Sequence, residues 1–311
     1  MNYGWIYRER VKAADAGQTV LDYYTNKYRH SSQTQWQSRI ELGQIAIDGC
    51  IIQSDRIVQA GDKLTYHRPP WIEPEVPLRF EILYEDLDLL LIDKPSGLPV
   101  IPGGGFLSHT LLWQLKTLYS EDTPTPIHRL GRGTSGLLLL GRSQLAKSNL
   151  AKQMRNRTTG KDTCQLRKTY RAIVAGNTIR DRLTIEQPIG KIPHPVLGYI
   201  YGATSNGKYA RSESKVIRRY SDRTLLEVTI YTGRPHQIRI HTAAVGYPLW
   251  GDPLYVVGGS FAPIADKQEN IPVPGDCGYF LHAYSLSFIH PRSQQKMDFE
   301  CPAPENWELG T

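Results

Sequence analysis

Four prolines fall within ten residues at Arg68-Pro69-Pro70-Trp71-Ile72-Glu73-Pro74-Glu75-Val76-Pro77. Each lacks a backbone N–H and pushes the preceding residue out of the helical region, so this stretch is neither helix interior nor central strand. It reads as a semi-rigid extended linker over residues 69–79, separating a small unit at 1–68 from a larger one at 80–305.

The first unit is a small α+β arrangement. Thr19 is the expected N-cap of a helix, with Asp22 at its third position and Val20, Leu21, Tyr24 and Tyr28 on one apolar face. A second helix is expected from Thr34 to Leu42, ending at Gly43. Gln44–Ile47 then reads as a strand, Asp48-Gly49 as a hairpin turn, Cys50–Ile52 as the return, and Lys63–Tyr66 as a strand after Ala60-Gly61-Asp62. This order, with its two glycine turns, resembles the alpha-L RNA-binding fold of ribosomal S-four-like domains, which implies an accessory grip on RNA.

Beyond the linker, strands dominate. Phe80–Tyr84 and Leu89–Ile92 flank the acidic turn Glu85-Asp86-Leu87-Asp88 as a hairpin; further strands are expected at Leu137–Leu140, Thr169–Ala175, Lys215–Tyr220, Leu225–Thr229 and Tyr279–Leu286. Helices are expected at Thr110–Leu118 and Gln144–Asn156, and long connections at Pro193–Lys208 and Val256–Gly278. The class is α+β, built on a mixed, mostly antiparallel sheet.

Charge points to the partner. The 37 Lys and Arg exceed the 30 Asp and Glu by seven, yet Arg142–Arg171 alone carries nine basic residues (Arg157, Lys161 and Lys168 among them) against the single acid Asp162. A second basic stretch runs through Arg211, Lys215, Arg218, Arg219 and Arg223 to Arg234 and Arg239. Two such clusters favour a phosphate-tracking surface, since neutralising phosphates releases counterions. The apolar runs are far shorter than the ~20 residues of a membrane helix, and Met1–Arg10 has no apolar core of a secretory leader. Cys50, Cys164, Cys277 and Cys301 are scattered, with no zinc-ligand spacing. A cytoplasmic protein without metal or redox cofactor is expected.

The chemistry concentrates in short segments. Ile127-His128-Arg129-Leu130-Gly131-Arg132-Gly133-Thr134-Ser135-Gly136 leads into the apolar strand, its glycines permitting close backbone approach. Ser135 lacks the elbow of a serine nucleophile, and turn-bonding roles are expected for Thr134 and Ser135. Gly103-Gly104-Gly105 lacks the Lys-Ser/Thr of a phosphate loop. His236 and His241 have no third ligand beside them, so hydrogen-bonded strand histidines are the expectation.

Taken together, these segments resemble RluA-type pseudouridine synthases. The resemblance rests on Lys94-Pro95-x-Gly97-Leu98-x-Val100, the His128-Arg129-Leu130 loop, Arg167-Lys168-Thr169-Tyr170-Arg171-Ala172, Gly233-Arg234-Pro235-His236-Gln237-Ile238-Arg239-Ile240-His241, Gly251-Asp252-Pro253-x-Tyr255 and Leu281-His282-Ala283. It implies the isomerisation of uridine in structured RNA, ribosomal or transfer, on a flipped-out base. In such enzymes a tyrosine stacks on the uracil and assists loss of the C5 proton, which implies Tyr170. An arginine pairs with the catalytic carboxylate and with phosphate, which implies Arg239. His128 and Arg129 are implied to help displace the nucleotide, with Arg132, Arg234, His236, Lys168 and Arg171 as further RNA contacts.

The family's catalytic aspartate follows His-Arg-Leu, and here that residue is Gly131. Glycine offers neither nucleophile nor titratable group. Three readings follow: another carboxylate (Asp252 or Asp93) enters the site, the protein is a catalytically silent RNA-binding chaperone or assembly factor, or the mechanism is altered.

Overall fold

The computed structural model describes residues 1–158, 166–178, 180–262 and 271–307. Lys161, Asp162 and Cys164 lie outside the described residues, as does part of the connection expected at Val256–Gly278. The chain divides into two compact units, Met1–Glu73 with Pro193–Tyr199 and Pro74–Ile192 with Ile200–Thr311. The first break falls inside the proline-rich segment; the membership of Pro193–Tyr199 had no sequence signal.

In the first unit, Thr19 Oγ1 accepts from the Asp22 amide and opens the helix Val20–Lys27. Ser32 and Gln35 close a reciprocal capping box at the start of the helix Gln33–Glu41, slightly earlier than the periodicity marks it. Tyr23, Tyr24, Trp36 and Ile40 pack with Ile45, Ile47, Leu64 and Tyr66 in one core. The four-stranded sheet runs Trp5–Arg10, Lys63–Arg68, Ile45–Ile47, Cys50–Ile51. The strand Trp5–Arg10 was not expected: it lies at the sheet edge and is mostly exposed, so it shows no buried-face alternation.

The second unit is built on a ten-stranded sheet. Its path runs Arg182–Ile185, Ser212–Arg219, Arg223–Ile230, Arg167–Ala175, Leu281–Ile289, Ser135–Gly141, Leu89–Lys94, Glu81–Glu85, with Lys296–Glu300 and Thr125–Pro126 attached at its sides. The pairings are antiparallel except that of Leu281–Ile289 with Ser135–Gly141. Leu89–Ile92 and Leu137–Leu140 are buried throughout, sharing a core with Leu111 and Leu115 of the helix Leu111–Leu118 and with Ala146 and Leu150 of the helix Gln144–Thr158. Strands covered on both faces read as continuous apolar runs, which is how these two announce themselves.

Two sequence expectations are corrected. Pro193–Lys208 is not one long connection, because Ile189–His194 and Gly198–Ala203 pair as a two-stranded sheet, with Gly198 at φ +73° opening the second strand directly after the turn. The segment carrying Arg239 is a helix, Gln237–Ala244, and not a strand. Its Ile-x-Ile alternation misleads because Gln237 to Ala243 are all buried, which erases the one-sided helical stripe.

Candidate active site

The centre of the sheet sets one row of residues side by side. Val228 faces Tyr170, Tyr170 faces Ala283, Ala283 faces Gly136, and Gly136 faces Lys94. Gly136 sits at φ +97°, and a Cβ there would stand 2.4 Å from the Ala283 carbonyl oxygen. Only glycine lets the signature loop enter the sheet at this point. Ser135 Oγ bonds His282 Nδ1 at 2.9 Å and Thr134 Oγ1 lies 3.3 Å from Tyr279 Oη, so these hydroxyls tie the loop to the neighbouring strand region instead of to their own turn.

Lys94 braces the loop from beneath. Fully buried, its Nζ donates to the carbonyls of Pro95 (2.7 Å), Leu98 (2.9 Å) and Arg132 (3.3 Å). Three N–H donors meet three acceptors, which meets the requirement that a buried amine be hydrogen-bonded.

Over this frame opens a cleft of about 600 Å³. His128, Arg129, Gly131 and Arg132 of the loop line it, with Lys168 and Tyr170 of the adjoining strand and Arg234, His236 and Arg239 across the opening. The structure therefore brings together every sequence-expected site residue except Arg171. Period-two alternation places Lys168 and Tyr170 on one face of their strand and Arg171 on the other, where its Nη1 pairs with Glu227 at 2.6 Å and its guanidinium covers the Tyr284 ring. The wider basic stretches also contribute less than their charge implied: Arg142 pairs with Glu85, Arg211 with Glu213 and Arg219 with Asp181.

Arg239 is 2% exposed and all three of its nitrogens are engaged. Nε and Nη2 each donate to Asp252 at 2.7 Å, and Nη1 donates to the Pro274 carbonyl at 3.0 Å. Its guanidinium carbon lies 4.2 Å from the Tyr279 ring centre and 4.9 Å from that of Tyr255. The expected carboxylate partner of Arg239 is thus present, but it is Asp252; each guanidinium nitrogen already makes one bond, so Arg239 forms a buried, anchored cationic wall of the cleft. Asp252 is anchored as well, its Oδ1 accepting also from the amides of Leu254 and Tyr255, and it does not line the cleft. It is no substitute nucleophile. Asp93 lies mid-sheet, opposite Glu81 and Leu137, and does not line the cleft. Among the described lining residues there is no carboxylate.

His236 opens the helix at φ +52°, a left-handed conformation that a non-glycine residue adopts at a cost of about 1–3 kcal/mol. Its Nδ1 lies 2.8 Å from Tyr255 Oη, and that hydroxyl donates its only proton to the Tyr201 carbonyl at 2.7 Å. Nδ1 must therefore be the donor, leaving Nε2 as a bare lone pair. Burial, aided by the neighbouring Arg239, pushes the His236 pKa down to about 4.

The residue that sequence reading missed is Tyr279, 5% exposed on the cleft wall. Its hydroxyl stands 2.8 Å from where a Cβ on Gly131 would be, and its ring atom Cζ 2.9 Å from the same point on Gly133. Burial raises its pKa, against the opposing pull of Arg239. Tyr279 reads in sequence as the first residue of a strand; the available signal was the glycine pair at 131 and 133, two bare positions over which a large side chain lies.

Residues 88–244 match the family model described as RNA pseudouridylate synthase. An uncharacterized RNA pseudouridine synthase of Synechocystis is 49% identical over 92% of this chain and 94% of its own length. Ribosomal large subunit pseudouridine synthase D of Pseudomonas aeruginosa is 32% identical over 94% of this chain and 90% of its own. The solved structure of human RNA pseudouridylate synthase domain containing 1 matches 75% of this chain and 87% of that one with a TM-score of 0.56 at 22% identity, a likeness of fold.

Proposed function

Because the chain belongs to the RNA pseudouridylate synthase family, we propose that it isomerises uridine to pseudouridine in structured RNA, with ribosomal RNA ahead of transfer RNA. The observation that carries this reading is the cleft itself, which sets Tyr170, Arg239 and Lys168 around the loop that in this family faces the reacting nucleotide. The ribosomal preference rests on the relative named for the large subunit.

The reaction breaks the N1–C1′ bond, turns the uracil within the site and joins C5 to C1′. The base must first leave its stack, at a cost of a few kcal/mol. Arg129, exposed at the rim, meets the phosphates of the flipped strand, with Arg132 and Arg234 beside it. Tyr170 stacks on the uracil and assists departure of the C5 proton. Lys168, next but one on the same strand face, supplies positive potential at the floor. The first unit, with its paired helices and small sheet, serves as a second grip on RNA. The protein works in the cytoplasm, where its substrate is.

The experiment is tritium release from C5-labelled uridine in cellular RNA fractions. Release from ribosomal RNA supports the reading, and release from transfer RNA alone reassigns the substrate. Release no greater than the no-enzyme control on every fraction leaves the second reading, a silent RNA-binding protein, which the carboxylate-free cleft specifically favours.

A further inference from the structure

A site that had merely lost its acid would contain a gap at Gly131. This one does not. The Tyr279 side chain spans both loop glycines, with its hydroxyl 2.8 Å from a Cβ on Gly131 and its ring 2.9 Å from one on Gly133. Distances under 3.0 Å are not ordinary packing, so the ring as placed requires both positions to be bare. The two glycines and the tyrosine are one arrangement.

We propose that the Tyr279 phenol is the proton-transfer group that meets the flipped uridine, in the place where a carboxyl at position 131 would act. The assignment rests on the uridine-isomerising reading above. Three observations support it. Tyr279 lines the cleft that also holds Tyr170, and its hydroxyl lies beside Gly131, another lining residue. Thr134 Oγ1 lies 3.3 Å away, fixing the direction of the phenol oxygen. The guanidinium of Arg239 lies 4.2 Å from the ring centre, locked there by Asp252, and it favours the phenolate more than the paired Asp252 carboxylate opposes it.

The step balances without a co-reactant. As N1–C1′ breaks, its electron pair goes to uracil N1, and the phenol passes its proton to that nitrogen. The phenolate then faces the electron-poor C1′. After the uracil turns, its C5 attacks C1′, and the C5 proton, loosened by the Tyr170 that stacks on the base, is accepted by the Tyr279 phenolate oxygen. One proton leaves Tyr279 and one comes back. Burial raises the Tyr279 pKa and holds the phenol in its protonated form at the start, and Arg239 opposes that shift by favouring the phenolate.

The test uses the full chain and single-turnover tritium release, with RNA binding measured in parallel. Tyr279→Phe keeps the ring and removes only the oxygen. It is expected to lose at least about 100-fold in rate, with RNA affinity within about twofold of wild type. The alkaline limb of the wild-type rate profile, where the phenol ionises, is expected to vanish from any residual activity. Tyr279→Ala opens space at position 131, and adding Gly131→Asp to it is expected to restore release above Tyr279→Ala alone. A Tyr279→Phe rate equal to an active wild type overturns the assignment and leaves the isomerase reading intact. A wild type inactive on every RNA fraction overturns both.

Discussion

The Tyr279 hydroxyl occupies the space that any side chain on Gly131 would enter, at 2.8 Å from the Cβ position. A Cβ at 131 must displace a tyrosine that is only 5% exposed and whose ring is held against Gly133. Gly131→Ala is therefore expected to destabilise the fold by about 1–3 kcal/mol, the range for forced overpacking. The same change in a Tyr279→Ala background is expected to cost nearly nothing. Urea unfolding of the four proteins measures the coupling, and equal costs in both backgrounds would refute the contact.

Arg239 and Asp252 form a bidentate pair with side-chain exposures of 3% and 0%. Removing one partner leaves a buried charge without its counterpart, so Asp252→Ala is expected to cost about 3–5 kcal/mol. Arg239→Met combined with Asp252→Ala is expected to cost clearly less than the two single changes added. Additive losses in a double-mutant cycle would show that the pair is not coupled.

Gly136→Ala combines a disfavoured backbone angle with a backbone collision, since the Cβ meets the Ala283 carbonyl oxygen at 2.4 Å. No flexible side chain is available to yield. A loss of about 3 kcal/mol or more is expected, with faster amide exchange at Ser135, Gly136, His282 and Ala283, the residues of the parallel pairing. A melting temperature unchanged from wild type would contradict this placement.

His241 is fully buried and neutral: its Nε2 donates to the Gln187 carbonyl at 3.0 Å and its Nδ1 accepts from Ser212 Oγ at 3.0 Å. Burial lowers its pKa to about 4 from the ordinary 6.5, with the Gln187 carbonyl opposing that shift. The unfolded chain thus binds a proton below about pH 6.5 that the folded chain refuses until about pH 4. Stability from this group is complete above pH 6.5 and declines as pH falls to 4, by about 3 kcal/mol in all. His241→Gln is expected to flatten that part of the stability-against-pH curve, and an unaltered slope would count against the neutral imidazole.

Arg129 and Arg171 lie in the two loop and strand motifs but have opposite surroundings. Arg129 is exposed at the cleft, whereas Arg171 is paired with Glu227. Arg129→Ala is expected to weaken RNA binding and reduce the slope of log affinity against log salt by about one. Arg171→Ala is expected to leave both unchanged. Identical salt slopes for the two variants would show that the cleft is not the phosphate-tracking surface.

Local chemistry was largely legible in the residues. The Thr19 cap, the Asp48-Gly49 turn and the apolar strands at Leu89 and Leu137 each depend on neighbours in sequence, and each is where pattern and turn chemistry put it. The ordered motifs also assembled Gly131, Tyr170, Arg234, His236 and Arg239 around one cleft. Uniform burial hid the helix Gln237–Ala244, because a helix covered on all sides has no polar face to set its period. What only the tertiary structure decided is who partners whom. Sequence named Arg239, Asp252 and the empty position at Gly131, but pairing across distant segments depends on sheet register and side-chain reach. Those put Asp252 out of use beneath Arg239 and brought Tyr279, 148 positions beyond Gly131, into the space its missing side chain leaves.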